Sequence, residues 1–469
     1  MTDANAGQVT VGLLPDDSIL DVFDFYVARA SKVEAWRTLV HVCRRWRIIV
    51  FGSPRRLNLR INCTGSVREK PDIWPALPIV ISGDIHFTSY RDNIKAILKH
   101  HDRVRQITLG LKAQSDLEEI FTALNEPFPV LTSLKVYSIS DGTLYLRPIF
   151  PNPDKFLGGS THLRSLSLTG FEISVLPKLL LSCTDLVDLR LEDFTLSWFS
   201  SPDAMVTALS ALARLKVLHF ARKFDFRFPN HLHWEKKPCT RTVLPSLTRL
   251  NARGDTQTLD HFLARIDAPL LDYLNIAFAY YDFNTPELLH FIGRLPKFPA
   301  PDKAHIGVNN RIHNFRINFS WSKQISSAVR LRIHCPEPEH QLRHLLTFCD
   351  PHFTFSPLPV LEYLYIGRGR ISPQSQQGDD RNAEWLNLLQ RFTAVKNLYL
   401  TKEFASVIAH ILQDRAGERA MVLPALENVF IELQQSGSVH ETIGKFAAAR
   451  QLSSHPVVIN HWDGRQGIP

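Results

Sequence analysis

The sequence predicts an α/β chain. A small N-terminal helical module is followed by a solenoid of strand–helix units, with a curved parallel sheet on the concave side and helices on the convex side. Three observations predict it. A short apolar motif close to LxxLxL recurs along most of the chain. Segments with helical periodicity lie between its copies. Two short amphipathic helices precede the first copy. At 469 residues the chain is too long for one compact core, so it splits into domains or builds an elongated array.

Taken in order, residues 1–12 read as a disordered leader with no basic n-region and no apolar h-region, so not as a signal peptide. "LPDDSILDVFDFYV" then starts as a helix should. Pro15 suits the first turn, and Asp16 and Asp17 suit the positive end of the helix dipole. Ile19, Leu20, Phe23 and the pair Tyr26/Val27 fall on one face. Leu39, Val42, Cys43 and Trp46 repeat that pattern and predict a second helix. The helical module spans 13–60, and 61–100 is read as a linker or N-terminal cap.

From there the texture becomes strand-like. "FPVLTSLKVYS", "THLRSLSLTGF", "CTDLVDLRLEDF", "ARLKVLHFARK", "LPSLTRLNARG", "APLLDYLNIAF", "LPVLEYLYIGRG", "FTAVKNLYLTKEF" and "LPALENVFIELQ" are all variants of one motif. Their first apolar anchors are Leu131, Leu163, Leu186, Leu215, Leu247, Leu271, Leu361, Val395 and Leu426. An earlier copy, "RVRQITLGL", has its first apolar residue at Val104. The spacing fits long leucine-rich repeats, in which each turn carries a helix. "SPDAMVTALSALARL", "FNTPELLHFIGRL" and "AEWLNLLQRF" supply such helices. The repeat region therefore spans 101–469.

One section, near 280–357, breaks the rhythm. It holds the degenerate copies "IHNFRINFS" and "AVRLRIHCPE". Ile312 and Ala328 are too close for a strand, a helix and two loops, which predicts an irregular or hairpin-like unit. Long loops are expected at 222–241 and 367–385, and such loops are commonly functional.

Alternation along each strand turns the leucines toward the core and the residue between the last two apolar positions toward the open face. That places Lys135, Ser167, Arg190, His219, Asn251, Asn275, Arg316, Tyr365, Tyr399 and Phe430 on the concave side. The strip runs from basic to aromatic, which suits a protein or peptide target with acidic and apolar groups.

The net charge of +8 is mild over so many charged residues and permits acidic partners without demanding nucleic acid. The six cysteines include no CxxC pair, and so few in so long a chain read as reduced thiols of an intracellular protein. Cytosol or nucleus is the expected location, and no run is long and apolar enough to span a membrane. The phosphate-binding and nucleophile motifs GxxxxGK[ST], GxGxxG and GxSxG are absent. "HQLRH" places His340 and His344 four apart but lacks the glutamate of HExxH. His231, His233 and Cys239 resemble ligands in a basic loop without a cysteine pair. The expectation is a non-catalytic chain with no cofactor and no metal.

Residues 39–61, "LVHVCRRWRIIVFGSPRRLNLRI", hold six arginines and no acid. Trp46 continues the apolar stripe of Leu39, Val42 and Cys43, so it is expected inside rather than stacked on a base. Nucleic acid is not the expected partner. The block Leu14-Pro15, Ile19-Leu20, Phe23, Leu39, Val42-Cys43-Arg44 and Trp46 resembles the F-box, and the resemblance covers about residues 12–60. The link "YVARASKVEAWRT" is longer and more basic than that family's common turn. The likeness extends to a large group of fungal F-box proteins in which irregular leucine-rich repeats follow. It implies docking on the Skp-type adaptor of a cullin–RING (SCF-type) ubiquitin ligase, with a protein target on the repeats. Adaptor contacts are then expected from Leu14, Pro15, Ile19, Leu20, Phe23, Leu39, Val42, Cys43 and Trp46. Trp46 is also expected to join the module to the repeats. The alternative is a leucine-rich-repeat scaffold unconnected with ubiquitin, whose N-terminal helices seal the first repeat.

Overall fold

A computed structural model describes residues 13–29, 35–52, 59–62, 78–85, 88–139, 156–157, 162–170, 176–194, 202–222, 241–279, 285–309, 314–321, 324–334, 341–348, 360–367, 379–414, 422–432, 437–452 and 455–463. The leader 1–12 lies outside them, as do 223–240 and 368–378 of the two expected loops. The chain forms two units, Met1–Trp198 and Phe199–Pro469.

The first unit opens with helices α1 (Asp16–Arg29), α2 (Ala35–Val40) and α3 (Arg44–Gly52). Their shared interior is Ile19, Leu20 and Phe23 from α1, Leu39 and Val40 from α2, and Ile49 and Val50 from α3. Trp46 meets Phe23 edge to face at 4.8 Å. Each such aliphatic or phenyl side chain contributes about 1.5–3 kcal/mol when buried, so three short helices hold together through one small core.

The single helix expected through Leu39–Trp46 is broken. The amides of His41 and Val42 donate to the carbonyls of Thr38 and Leu39, each 3.3 Å away and three residues back. This tight closing turn ends α2. Cys43 then starts α3: its sulfur accepts the Trp46 amide at 3.4 Å and its carbonyl accepts the Arg47 amide at 3.1 Å. The apolar stripe is therefore shared between two helices. Arg45 of α3 bonds the Leu14 carbonyl and pairs with Asp16 at 2.7 Å, tying α3 to the entry of α1.

Six parallel strands follow in sequential order: β1 (Leu59–Asn62), β2 (Ile79–Ile85), β3 (Val104–Leu111), β4 (Ser133–Ser138), β5 (Ser165–Thr169) and β6 (Asp188–Phe194). Helices α4 (Thr88–Leu98), α5 (Gln114–Ala123) and α6 (Leu176–Ser182) lie between strands in the chain. Residues 61–100, expected as a linker or cap, thus include β2 and α4. Two apolar rows cross the sheet in register: Ile107–Leu134–Leu166–Leu189 and Leu109–Val136–Leu168–Leu191. On the opposite face Asp84 and Tyr137, two strands apart, hydrogen-bond across Gly110. A Cβ at Gly110 would sit 2.3 Å from the Asp84 carboxylate, so only glycine leaves that path open.

The second unit repeats the pattern. Its elements are α7 (Pro202–Ser210), β7 (Val217–Arg222), β8 (Thr242–Val243), β9 (Arg249–Asp255), α8 (Thr256–Ala264), β10 (Ile266–Asp267), β11 (Tyr273–Ala279), α9 (Pro286–Gly293), β12 (Lys303–Asn309), β13 (Asn314–Trp321), β14 (Gln324–His334), α10 (Gln341–Phe348), β15 (Tyr363–Ile366), α11 (Asp379–Gln390), β16 (Asn397–Leu400), α12 (Lys402–Asp414), β17 (Asn428–Glu432), α13 (Gly437–Leu452) and β18 (Val458–Trp462). Strand order is β7-β9-β11-β14-β13-β12-β15-β16-β17-β18, with β8 and β10 in a separate parallel pair. Asp255 caps α8 by accepting the Thr258 amide at 2.8 Å.

In all nine motif segments the anchor and the residues three and five positions on are no more than 3% exposed. The anchors bend the chain into each strand; the Leu131, Leu186, Leu215, Leu247, Leu271 and Leu426 amides donate to carbonyls three residues back. Among the described strands, one departs from the parallel rule. β13 runs antiparallel between β12 and β14. The copy "IHNFRINFS" is the middle of a meander and not a further parallel turn, because too few residues separate it from β14 for a crossover.

Candidate functional site

The helical module places the predicted adaptor residues in two environments. Ile19, Leu20, Phe23 and Leu39 are buried at 6% exposure or less, which corrects their assignment as contact residues. Their areas are spent on the module's own core. Trp46 is half-buried against Phe23, and Leu14 is half-buried. Pro15, Val42 and Cys43 are exposed.

Helix α1 presents a second apolar face beyond the one its periodicity predicts for packing. Val22, Phe25 and Tyr26 are 51%, 59% and 40% exposed, at the i, i+3, i+4 spacing of one helix side. Ile48 on α3, Val42 before it and Leu13 ahead of α1 are exposed as well. Among the described residues, six of the thirteen exposed large hydrophobic side chains fall within residues 13–52. Such a concentration marks an interaction surface, whereas single exposed apolar residues elsewhere need no explanation. The missed signal is the doubled apolar pattern of "ILDVFDFYV", which holds too many apolar residues for one face.

The strand faces carry the predicted target residues. In the first unit Thr108, Lys135, Ser167 and Arg190 form one row. Lys135 is exposed, with its ammonium 5.5 Å from the Tyr137 ring centre. Arg190 is exposed and bonded to Asp188 at 3.0 Å, and that bond raises its pKa. In the second unit the row runs His219, Asn251, Asn275, Arg330, Asn318, His305, Tyr365, Tyr399, Phe430 and Asn460. His219, Asn251 and Asn275 are half-buried, and Asn275 donates to Asn251 at 3.0 Å. Reversal of β13 puts Asn318 in the row where Arg316 was expected.

Tyr365 and Tyr399 correct the expectation of an open aromatic strip. They are 3% and 6% exposed. In-register parallel strands lie close enough for like rings to stack. Tyr365–Tyr399 and Tyr399–Phe430 do so at 4.2 and 4.3 Å, and Trp462 stands edge-on to Tyr399 at 5.6 Å. The rings cover one another; Phe430 remains half-buried. Burial, then the Tyr399 neighbour, raises the Tyr365 pKa.

Among the described residues no group of three or more His, Cys, Asp or Glu is gathered as metal ligands, and no helix is long and apolar enough to cross a membrane. His231, His233, Cys239 and His340 lie outside the described residues.

No family model matches the chain, and no curated protein matches it. Solved structures with some likeness include the Rad7–Elc1 complex of yeast (14% identity, 88% of this chain and 92% of that one, TM-score 0.31). A leucine-rich-repeat protein of Leptospira interrogans shows 13% identity over 88% of this chain and 97% of its own, with TM-score 0.30. The leucine-rich-repeat protein LegL7 of Legionella pneumophila shows 13% identity over 85% and 99%, with TM-score 0.28. Likeness at this level does not bear on function.

Proposed function

We propose that this chain is the substrate-receptor subunit of an SCF-type ubiquitin ligase. Its N-terminal helices are the F-box that docks on a Skp-type adaptor, and its strand–helix units are leucine-rich repeats whose strand face holds a protein target. One observation carries the reading: residues resembling the F-box form a three-helix module that buries one apolar face of α1 and still exposes Val22, Phe25, Tyr26, Val42 and Ile48. A cap that only seals a repeat has no use for a second apolar face. The role is non-catalytic: the subunit raises the effective concentration of a target lysine near the ubiquitin-loaded partner.

The test is a pull-down of the full chain with a Skp-type adaptor. Phe25→Asp and Ile48→Asp are expected to abolish capture while circular dichroism stays unchanged. Exposed hot-spot residues lose about 2 kcal/mol or more on truncation, roughly 30-fold in affinity. Phe23→Asp is unsuited to this purpose, because it buries a charge in the module core. Failure of the wild-type chain to bind would leave the scaffold reading, with the helices as a cap.

A further inference from the structure

The meander that interrupts the second unit gathers positive charge on one face. Arg316 stands directly opposite Arg332 across β13–β14. Arg330 and Asn318 form the next cross-strand pair, and Lys303 and His305 follow on β12. These six residues border one cavity of about 350 Å³, and among the described residues no acidic one borders it. Among the described residues no carboxylate pairs with Arg316, Arg330 or Arg332.

Like charges facing each other across a strand pair destabilise it. Burial, followed by the Arg332 charge, lowers the Arg316 pKa, in keeping with repulsion between the two facing guanidinium groups. Donors are already held in place. Arg330 lies over the Tyr273 ring at 5.4 Å, and the Asn318 amide meets the His305 ring nitrogen at 3.3 Å.

A second observation is independent of the arginines. Tyr365 borders the same cavity and is 3% exposed, and among the described residues its buried hydroxyl has only the neighbouring Tyr399 hydroxyl to bond. A phenol that turns from a neutral neighbour to a charged acceptor gains the stronger bond.

We propose that this cavity binds a phosphate monoester, as free phosphate or on a phosphorylated side chain. A carboxylate brings one charge and two oxygens. A phosphate monoester brings nearly two charges and three strong acceptors, which the paired guanidinium forks, Lys303 and the Tyr365 hydroxyl match. The donors converge on one cavity instead of tracking a backbone, which favours a monoester over the diesters of nucleic acid. The inference stands without the adaptor reading, since it uses no residue of the helical module.

The experiment is thermal unfolding and calorimetry of the full chain at constant ionic strength. The probes are inorganic phosphate, a phosphoserine peptide, its unphosphorylated form and single-stranded DNA. Saturable binding of inorganic phosphate is expected, with at least a tenfold loss of affinity in Arg316→Gln/Arg332→Gln and a few-fold loss in Tyr365→Phe. Phosphate-free buffer supplies a sign test: the arginine double variant melts no lower than wild type, because it relieves repulsion. Tighter binding of the phosphopeptide than of phosphate assigns the ligand to a modified side chain; equal binding assigns it to the free ion. Absence of saturable phosphate binding, equal binding by wild type and both variants, or stronger arginine-dependent binding of DNA than of phosphate would overturn the proposal.

Discussion

Phe23 and Phe25 stand two residues apart on α1 and are predicted to behave in opposite ways. Phe23 is fully buried, with Trp46 edge-on at 4.8 Å. Truncation to alanine removes that contact and leaves a cavity in the module core, a change that costs about 3–5 kcal/mol. Phe25 is 59% exposed, so its truncation should change stability by roughly 0.5 kcal/mol or less. Hydrogen exchange of the full chain, read on peptides from 14–52, separates the two. Phe23→Ala should lower protection across α1, α2 and α3 by about two to three and a half powers of ten, or to the limit of full module opening. Phe25→Ala should leave protection unchanged while weakening adaptor capture. The reasoning fails if both variants lose protection alike, since Phe25 would then be core. It also fails if Phe23→Ala leaves exchange as in wild type.

Two further predictions concern titratable groups. Burial pushes the Cys183 thiol up to about 11, whereas Cys43 is exposed. Iodoacetamide at pH 7.5 should label Cys43 in the native chain and Cys183 only after unfolding, as read by peptide mass spectrometry; native labelling of Cys183 would contradict its placement. Burial, then the Asp84 bond and charge, raises Tyr137 from 10 to about 12. Since the folded state favours the neutral phenol, its stabilising contribution is complete below pH 10 and lost as pH rises from 10 toward 12. Urea midpoints should fall over that range more steeply in wild type than in Tyr137→Phe, and parallel curves would refute the assignment.

The strand segments were legible for a local reason. An apolar residue followed by others at i+3 and i+5 has few ways to bury all three, and a turn leading into a strand is one. Leu131, Leu134 and Val136 meet that demand within six residues, as do their counterparts in each copy. The short interval between Ile312 and Ala328 exposed the irregular meander in the same way, because chain length limits what a connection can do.

The candidate surfaces were less legible. In "ILDVFDFYV" both helix faces are apolar, and the sequence alone does not say which one packs. α2 and α3 decide it by covering Ile19 and Phe23 and leaving Val22, Phe25 and Tyr26 outside. Alternation places Tyr365 and Tyr399 on the open strand face, but their burial depends on a neighbouring ring one strand away. Alternation puts Arg316 on the open face, but only the register of β13 against β14 sets it opposite Arg332.

The sequence by itself therefore determined the strand–helix rhythm, the apolar rows and the presence of a helical start, since each follows from spacing within a few residues. The tertiary structure alone decided which apolar residues of α1 reach solvent, that β13 runs backwards, and that Arg316 faces Arg332. Those outcomes depend on register between segments distant in the chain, and no local preference encodes register.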